Sequence, residues 1–288
     1  MPLASQNPES LLVDIPGDAG LQWSAVITDV NTGECLLDVF PKRVLRTASV
    51  GKLFLLIEIA RQVDAGTLSL GELIDRRTEV SVADSGIWYA LDADTMTIND
   101  GCAMIGALSD NLATNVLIGR IGLDAVAATT RDLGYTSTEL LDRIRSERLP
   151  EHPPTLSRGT AEELADLLAR LGNGAVISAK VSSRVLDWIG LNTDLSMVAS
   201  AFGLDPLAHL EEDRGITLRN KTGTISNARI DVGIVGTPQR RLAYAVLANW
   251  NDDAPVETRH QVLAAMRAVG EWMRLILVQG TTPASAGR

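Results

Sequence analysis

Apolar and polar residues alternate across "LQWSAVITDVNTGECLLDV", residues 21–39, on both sides of "NTG". A period of two predicts a β-hairpin turned at Asn31 to Gly33. From Ser49 the period lengthens, and Leu53, Leu56, Ile57 and Ala60 share one face of a helix. "VDAGTLSLGELI" predicts a stop at Gly66 and then a short new helix. "TMTINDGCAMIGALSDNLATNVLIGRIG" holds two helical runs, the first entered at Thr97 or Asn99 and the second near Asp110. "GTAEELADLLARLGNG" and "SAKVSSRVLDWIGLN" predict two further helices. "ARIDVGIVG" and "RRLAYAVLANW" are β-type runs around "TPQ", a second hairpin. "PVETRHQVLAAMRAVGEWMRLILVQ" predicts a long amphipathic helix, and the tail "GTTPASAGR" is expected to be disordered.

Strands therefore fall toward both ends of the chain, and the middle is nearly all helix. Bringing the terminal strands together predicts an α+β fold with one antiparallel sheet, covered by the first and last helices. The expected α/β domain comprises residues 1–48 with 201–288. An all-helical domain, residues 49–200, is inserted into it, and the cleft between the two is the natural place for a ligand.

Composition narrows the partners. With 288 residues, 45% of them hydrophobic, the chain can bury one large core or two coupled ones. A formal net charge of −10 argues against nucleic acid, whose binders need a basic face. The three histidines, His152, His209 and His260, lack metal-ligand spacing, so no metal or other cofactor is expected. No apolar run is long enough to span a bilayer. "MPLASQNPESLLVDIPGDAG" lacks a basic start followed by an apolar run, which predicts a cytoplasmic protein; a secreted form trimmed of its signal is the alternative. The expected partner is a small molecule.

Candidate chemistry sits in three short motifs: "SVGK" with Ser49 and Lys52, "SDN" with Ser109 and Asn111, and "KTG" with Lys221, Thr222 and Gly223. Singly, each has a bland reading as a helix cap, a turn or a strand start. Together they make chemical sense. A serine hydroxyl is a poor nucleophile unless a base takes its proton, and on a helix Lys52 lies on the same face as Ser49. Desolvation and a neighbouring cation such as Lys221 would keep that lysine neutral. Ser109 can relay the proton to a leaving nitrogen. Lys221 and Thr222 at a strand edge can meet a carboxylate, and the N–H groups of Ser49 and Thr224 can hold an oxyanion.

The ordered set S-x-x-K, S-D-N and K-T-G resembles the penicillin-recognising serine hydrolases, specifically the class A β-lactamases. The resemblance runs over roughly residues 20 to 275, and Ser49 and Ser109 stand sixty residues apart, as in the family. It implies the β-lactamase/transpeptidase-like fold, an acylated Ser49, Lys52 as base or shuttle and Ser109 as relay. It also implies Asn111 on the substrate's amide side chain, with Lys221, Thr222 and Thr224 on its carboxylate. Arg229 is similar to the family's carboxylate-supporting arginine, with a surface strand arginine as the other reading. Trp88 and Tyr89 are candidates for an aromatic rim, with core packing as the alternative.

Two departures stand out. The family carries a glutamate, followed four residues later by asparagine, that activates the water releasing the acyl-enzyme. Here "LLDRIRSERLPEHPPTLSRGTAEEL" has no such pair, and an ungapped match puts Ile144 at the glutamate position. Glu147 and Glu151 are the stand-ins, with solvated surface charge as the alternative. Cys102 matches one partner of the disulfide found in many members, but Leu56 occupies the other position, which favours a reducing compartment. Hydrolysis of β-lactam amides is the leading expectation. Alternatives are an esterase or amidase on another acyl compound, and a penicillin-binding sensor that acylates once.

Overall fold

The computed structural model describes residues 8–279 except 81, 83 and 214. The tail expected to be disordered, residues 280–288, lies outside the described residues. Along the chain come β1 (Gln22–Asp29), β2 (Cys35–Val39), β3 (Leu45–Arg46) and, after a 3-10 turn at Ala48–Gly51, α1 (Lys52–Asp64). Next are β4 (Leu73–Asp75), β5 (Thr95–Thr97), α2 (Ile98–Leu108), α3 (Asn111–Ile121) and α4 (Leu123–Asp132). Then follow β6 (Glu139–Leu140), β7 (Ser157–Gly159), α5 (Ala161–Gly172) and α6 (Ala179–Ile189). The chain finishes with β8 (Thr217–Ile225), β9 (Ala228–Gly236), β10 (Arg241–Asn249) and α7 (Val256–Gln279).

The main sheet is antiparallel with strand order β2-β1-β10-β9-β8, so the two ends of the chain meet at the β1–β10 pair. Alternating side chains on these strands fill two separate cores. On one face Trp23, Ala25 and Ile27 of β1, with Tyr244 and Val246 of β10, pack with Val262, Met266, Val269 and Met273 of α7. On the other face Val26, Ile230, Val232, Ala243 and Ala245 join the leucines of α5 and the rest of the helical body.

The last helix, α7, covers one face of the sheet as expected, but the other face is covered by α5 rather than by the first helix. Pattern explains the exchange. In α5 the buried residues Ala161, Leu164, Ala165, Leu168 and Leu171 recur at helical spacing, a stripe suited to one flat face. In α1 the residues from Lys52 to Ala60 are all buried, so this helix belongs inside a bundle, where it packs with α6, α4 and α3. Burying a leucine or isoleucine contributes about 1.5–3 kcal/mol each, which rewards that central position. The span 49–200 is not purely helical: it contributes β4 with β5 as a two-stranded ribbon, and β6 and β7 in a small sheet with β3.

A further helix was expected after Gly66. The segment instead turns at Gly66 (φ 73°), runs through Gly71 and enters β4. A run this short, broken by two glycines, cannot repay helix nucleation. The helix starts at Thr97 and Asp110 do form. Thr97 Oγ1 accepts from Asp100 N at 3.1 Å while Asp100 Oδ2 accepts from Thr97 N at 3.4 Å, a reciprocal capping box. Among the described residues no single helix is long and apolar enough to cross a membrane.

Candidate active site

A cleft of about 510 Å³ opens where β8, the edge strand of the main sheet, faces the helical body. Ser49 lines it from the 3-10 turn that precedes α1. That turn starts at Ala48 with φ 47°, a left-handed conformation that costs an L-residue about 1–2 kcal/mol. Ser157 of β7 holds it in place. Its Oγ lies 2.7 Å from Thr47 Oγ1 and donates to Ala48 O at 2.6 Å, while Thr47 N donates to Ser157 O at 3.2 Å.

At the first position of α1, Lys52 is completely buried. Its Nζ donates to Ser109 O at 2.6 Å, Asn111 Oδ1 at 2.9 Å and Ser109 Oγ at 3.2 Å. Burial holds its pKa well below the usual lysine value, Lys221 pushes it further down, and Asp110 opposes both. Ser109 and Asn111 reach this point because α2 ends on Ser109 in the left-handed region (φ 55°) and α3 begins at once. Asp110 between them is structural. Its Oδ1 caps α3 by accepting from Ala113 N at 2.9 Å, and its Oδ2 accepts from Ile87 N at 2.7 Å and Trp88 N at 2.9 Å.

The opposite wall is β8. Thr222 and Thr224 line the cleft, and Gly223 lies between them against the turn that carries Ser49. A Cβ at Gly223 would collide with Thr47 O and sit 3.3 Å from Ser49 N, so only glycine permits this approach. Lys221 is fully buried behind the strand and donates to Thr222 O at 3.0 Å. Desolvation pushes its pKa down to about 8, against the attraction of Asp194 and Asp231. Asp231, across β9 from Thr222, accepts from Asn220 Nδ2 and Tyr244 OH at 3.0 Å each and from Ala199 N at 3.1 Å. Burial raises its pKa to about 6.

Ser49, Ser109, Asn111, Thr222 and Thr224 thus meet in one cleft with Lys52 and Lys221 beneath it. Five candidates do not join them. Trp88 is fully buried, its Nε1 donating to Ala93 O at 2.9 Å, and its neighbour Ile87 faces the cleft instead. Tyr89, its partner in the expected rim, is solvent-exposed and outside the cleft lining. Arg229 is half-buried and closes the β8–β9 turn, donating to Ile225 O at 2.6 Å and Ala228 O at 2.7 Å with its guanidinium 5.7 Å from the Trp250 ring. Glu147 is exposed on the loop before β7 and outside the cleft lining, and Glu151 is likewise exposed and outside it.

That loop brings Ile144 to the cleft, its backbone clamped by two 2.8 Å hydrogen bonds with the Asn115 side chain. Beside it stand Arg145 and Arg148, which the motifs did not single out. The signal for Arg148 was its position four residues after Ile144, where the glutamate's asparagine partner belongs in the pattern sought. Asp194 also lines the cleft, from an irregular segment with no motif to mark it. Among the described residues no three His, Cys, Asp or Glu side chains gather as a metal site.

The model of one protein family, described as the beta-lactamase enzyme family, matches residues 10–272. Among solved structures, a beta-lactamase from Sphaerobacter thermophilus superposes with a TM-score of 0.77 at 26% identity, covering 90% of this chain and 93% of that one. PBP-A superposes with a TM-score of 0.77 at 21% identity over 96% of both chains. A class A beta-lactamase from Mycobacterium abscessus superposes with a TM-score of 0.72 at 20% identity over 95% and 99%.

Proposed function

Since the chain belongs to the beta-lactamase enzyme family, we propose that it acylates Ser49 with β-lactams, compact amides bearing a carboxylate beside the scissile nitrogen. Lys52 takes the Ser49 Oγ proton as that oxygen attacks the carbonyl carbon. The N–H groups of Ser49 and Thr224 receive the developing oxyanion. As the C–N bond breaks, the proton passes from Lys52 through Ser109 Oγ, 3.2 Å away, to the leaving nitrogen. Thr222, Thr224 and the charge of Lys221 hold the carboxylate, and Asn111 faces the acyl amide. The observation that carries this reading is Lys52: fully buried, its pKa pushed well below the usual lysine value, and bonded to both Ser109 and Asn111 under a cleft that Ser49 lines.

Release of the acyl group is the slow half. Water needs a general base to attack the ester, and Ile144 and Arg148 supply none at the loop positions where the family pattern has glutamate and asparagine. Losing a general base costs about 10²–10⁴ in rate. A chromogenic cephalosporin should therefore give a burst of one product per site, then slow steady release, with Ser49 carrying the adduct by intact-protein mass. Ser49→Ala should show neither burst nor adduct. A labelled Ser49→Ala protein, or a wild type that never acquires an adduct, would end the proposal.

A further inference from the structure

The loop that has no base carries two guanidinium groups in its place. Arg145 Nε and Nη2 bond to Asp142 at 2.8 and 3.0 Å, and Arg148 Nη1 bonds to Asp142 at 2.6 Å and to Pro153 O at 2.9 Å. Asp142 is nearly buried, with 4% of its side chain exposed, while the arginine side chains keep 28% and 26%. Their cationic partners hold the Asp142 carboxyl below its ordinary pKa despite the burial, so it stays ionised. The two guanidiniums share one buried carboxylate, with the exposed Glu151 as a further negative charge acting on Arg145, so neither arginine has Asp142 to itself. The hydrogen bonds to Asp142 use the Nε–Nη2 edge of Arg145, so its Nη1 group is the one spared from that pair.

Position along the cleft says which half of a substrate meets that charge. Ile144, next to Arg145, is clamped by Asn115, one helical turn beyond Asn111 on α3. The Asn111 side faces the acyl amide, and the leaving-group carboxylate belongs at Thr222 and Thr224 on β8. The wall therefore flanks the acyl side chain. An apolar acyl group would cover the exposed part of these guanidiniums without offering them an acceptor, whereas a carboxylate there gains a charge-assisted hydrogen bond.

We propose that Arg145 and Arg148 select acyl donors with a second anionic group on the acyl side, making the favoured substrate a dianion. The inference rests on acylation at Ser49. Benzylpenicillin and carbenicillin, which differ by one carboxylate on the acyl side chain, separate the two ideas. Second-order acylation constants for both are measured by intact-protein mass on the wild type and on Arg145→Ala, Arg148→Ala and Arg148→Lys. The carbenicillin-to-benzylpenicillin ratio should fall about tenfold in each alanine variant and be partly kept in Arg148→Lys. Benzylpenicillin acylation of the same variant is the reference for each ratio, and circular dichroism reports an intact fold. The wild-type ratio should shrink as salt screens the charge. A ratio unmoved by both alanine substitutions and by salt overturns the selection while leaving acylation standing. Failure of both penicillins to acylate the wild type overturns the acylation reading, and this inference with it.

Discussion

Replacing Gly223 with alanine tests whether the edge of β8 is part of the chemistry or only a wall. The added methyl has nowhere to go. It meets Thr47 O and lies 3.3 Å from both Ser49 N and Val50 Cγ2, and two of those three atoms are backbone of the turn that holds Ser49. An ordinary C···O contact of about 3.3–3.6 Å requires the strand and turn to separate by about 1 Å. The turn resists, because Ser157 bonds it at three points and Ala48 already sits at φ 47°. Overpacking of this kind costs about 1–3 kcal/mol of stability. The sharper effect is on rate: Thr224 N and Ser49 N, the proposed oxyanion donors, are pushed apart across the new gap. A misplacement of about 1 Å can cost about 100-fold. Benzylpenicillin acylation, followed by intact-protein mass, should slow by about that factor at a temperature where circular dichroism shows the variant folded. A folded Gly223→Ala protein acylating at the wild-type rate would refute the placement of the oxyanion between these two donors.

Three further substitutions or conditions probe the same cleft. Ile144→Glu should shorten the acyl-enzyme lifetime, by less than the roughly 10²–10⁴ of an unhindered general base because Arg145 stands beside it; an unaltered lifetime would mean that water approaches from elsewhere. Acylation should rise with pH as Lys52 gives up its proton and fall above about 8 as Lys221 loses the charge that attracts the substrate carboxylate; a rate still climbing at pH 9 would remove Lys221 from carboxylate binding. Lys221→Met should trade activity for stability. The folded pKa of Lys221 lies near 8 and the unfolded one near about 10.4, so between them the unfolded chain holds a proton the folded one lacks, and wild-type stability rises with pH across that window. Below it the burial penalty is complete, so at pH 7 the methionine variant should be more stable in denaturant by up to about 3 kcal/mol, with the gap closing toward pH 10. Equal stability at pH 7 would contradict the penalty.

The residues that could be read from the chain are those whose neighbours are local. Lys52 follows Ser49 by less than one helical turn, and Asn111 follows Ser109 across a helix junction, so short spacing already implied shared space. Both hairpins were legible from alternation around "NTG" and "TPQ", and the register of β1 on β10 lets the two ends of the chain build one sheet. Longer-range forces decided the rest. Trp88 and Ile87 are adjacent on a turn whose orientation Asp110 sets by binding both of their N–H groups, and no local pattern says which of the two faces the cleft. Arg229 is drawn away by carbonyls at the β8–β9 turn, a geometry that exists only once the strands pair. On the loop before β7 the resemblance makes Glu147 and Glu151 the stand-ins for the missing glutamate, and both are exposed and outside the cleft lining. The cleft residues there are Arg145 and Arg148, and Arg148 occupies the position at which the family pattern has asparagine.

That loop ties the two halves of the proposed chemistry together. A glutamate at position 144 would stand beside Arg145 and four residues from Arg148, and their positive charge would hold it ionised but also compete for its oxygens. Keeping the arginines and the base together therefore works against both roles, because a bidentate guanidinium pair is a poor setting for a carboxylate that must take a proton from water. Isoleucine avoids the conflict. It leaves the guanidiniums to Asp142 and to the proposed acyl carboxylate, and it puts an apolar residue on the cleft wall at the position where the family pattern has the base. On this reading slow release and a preference for anionic acyl groups share one cause. The Ile144→Glu protein should then lose part of its carbenicillin preference as it gains turnover, and a variant that gains turnover with the preference intact would separate the two.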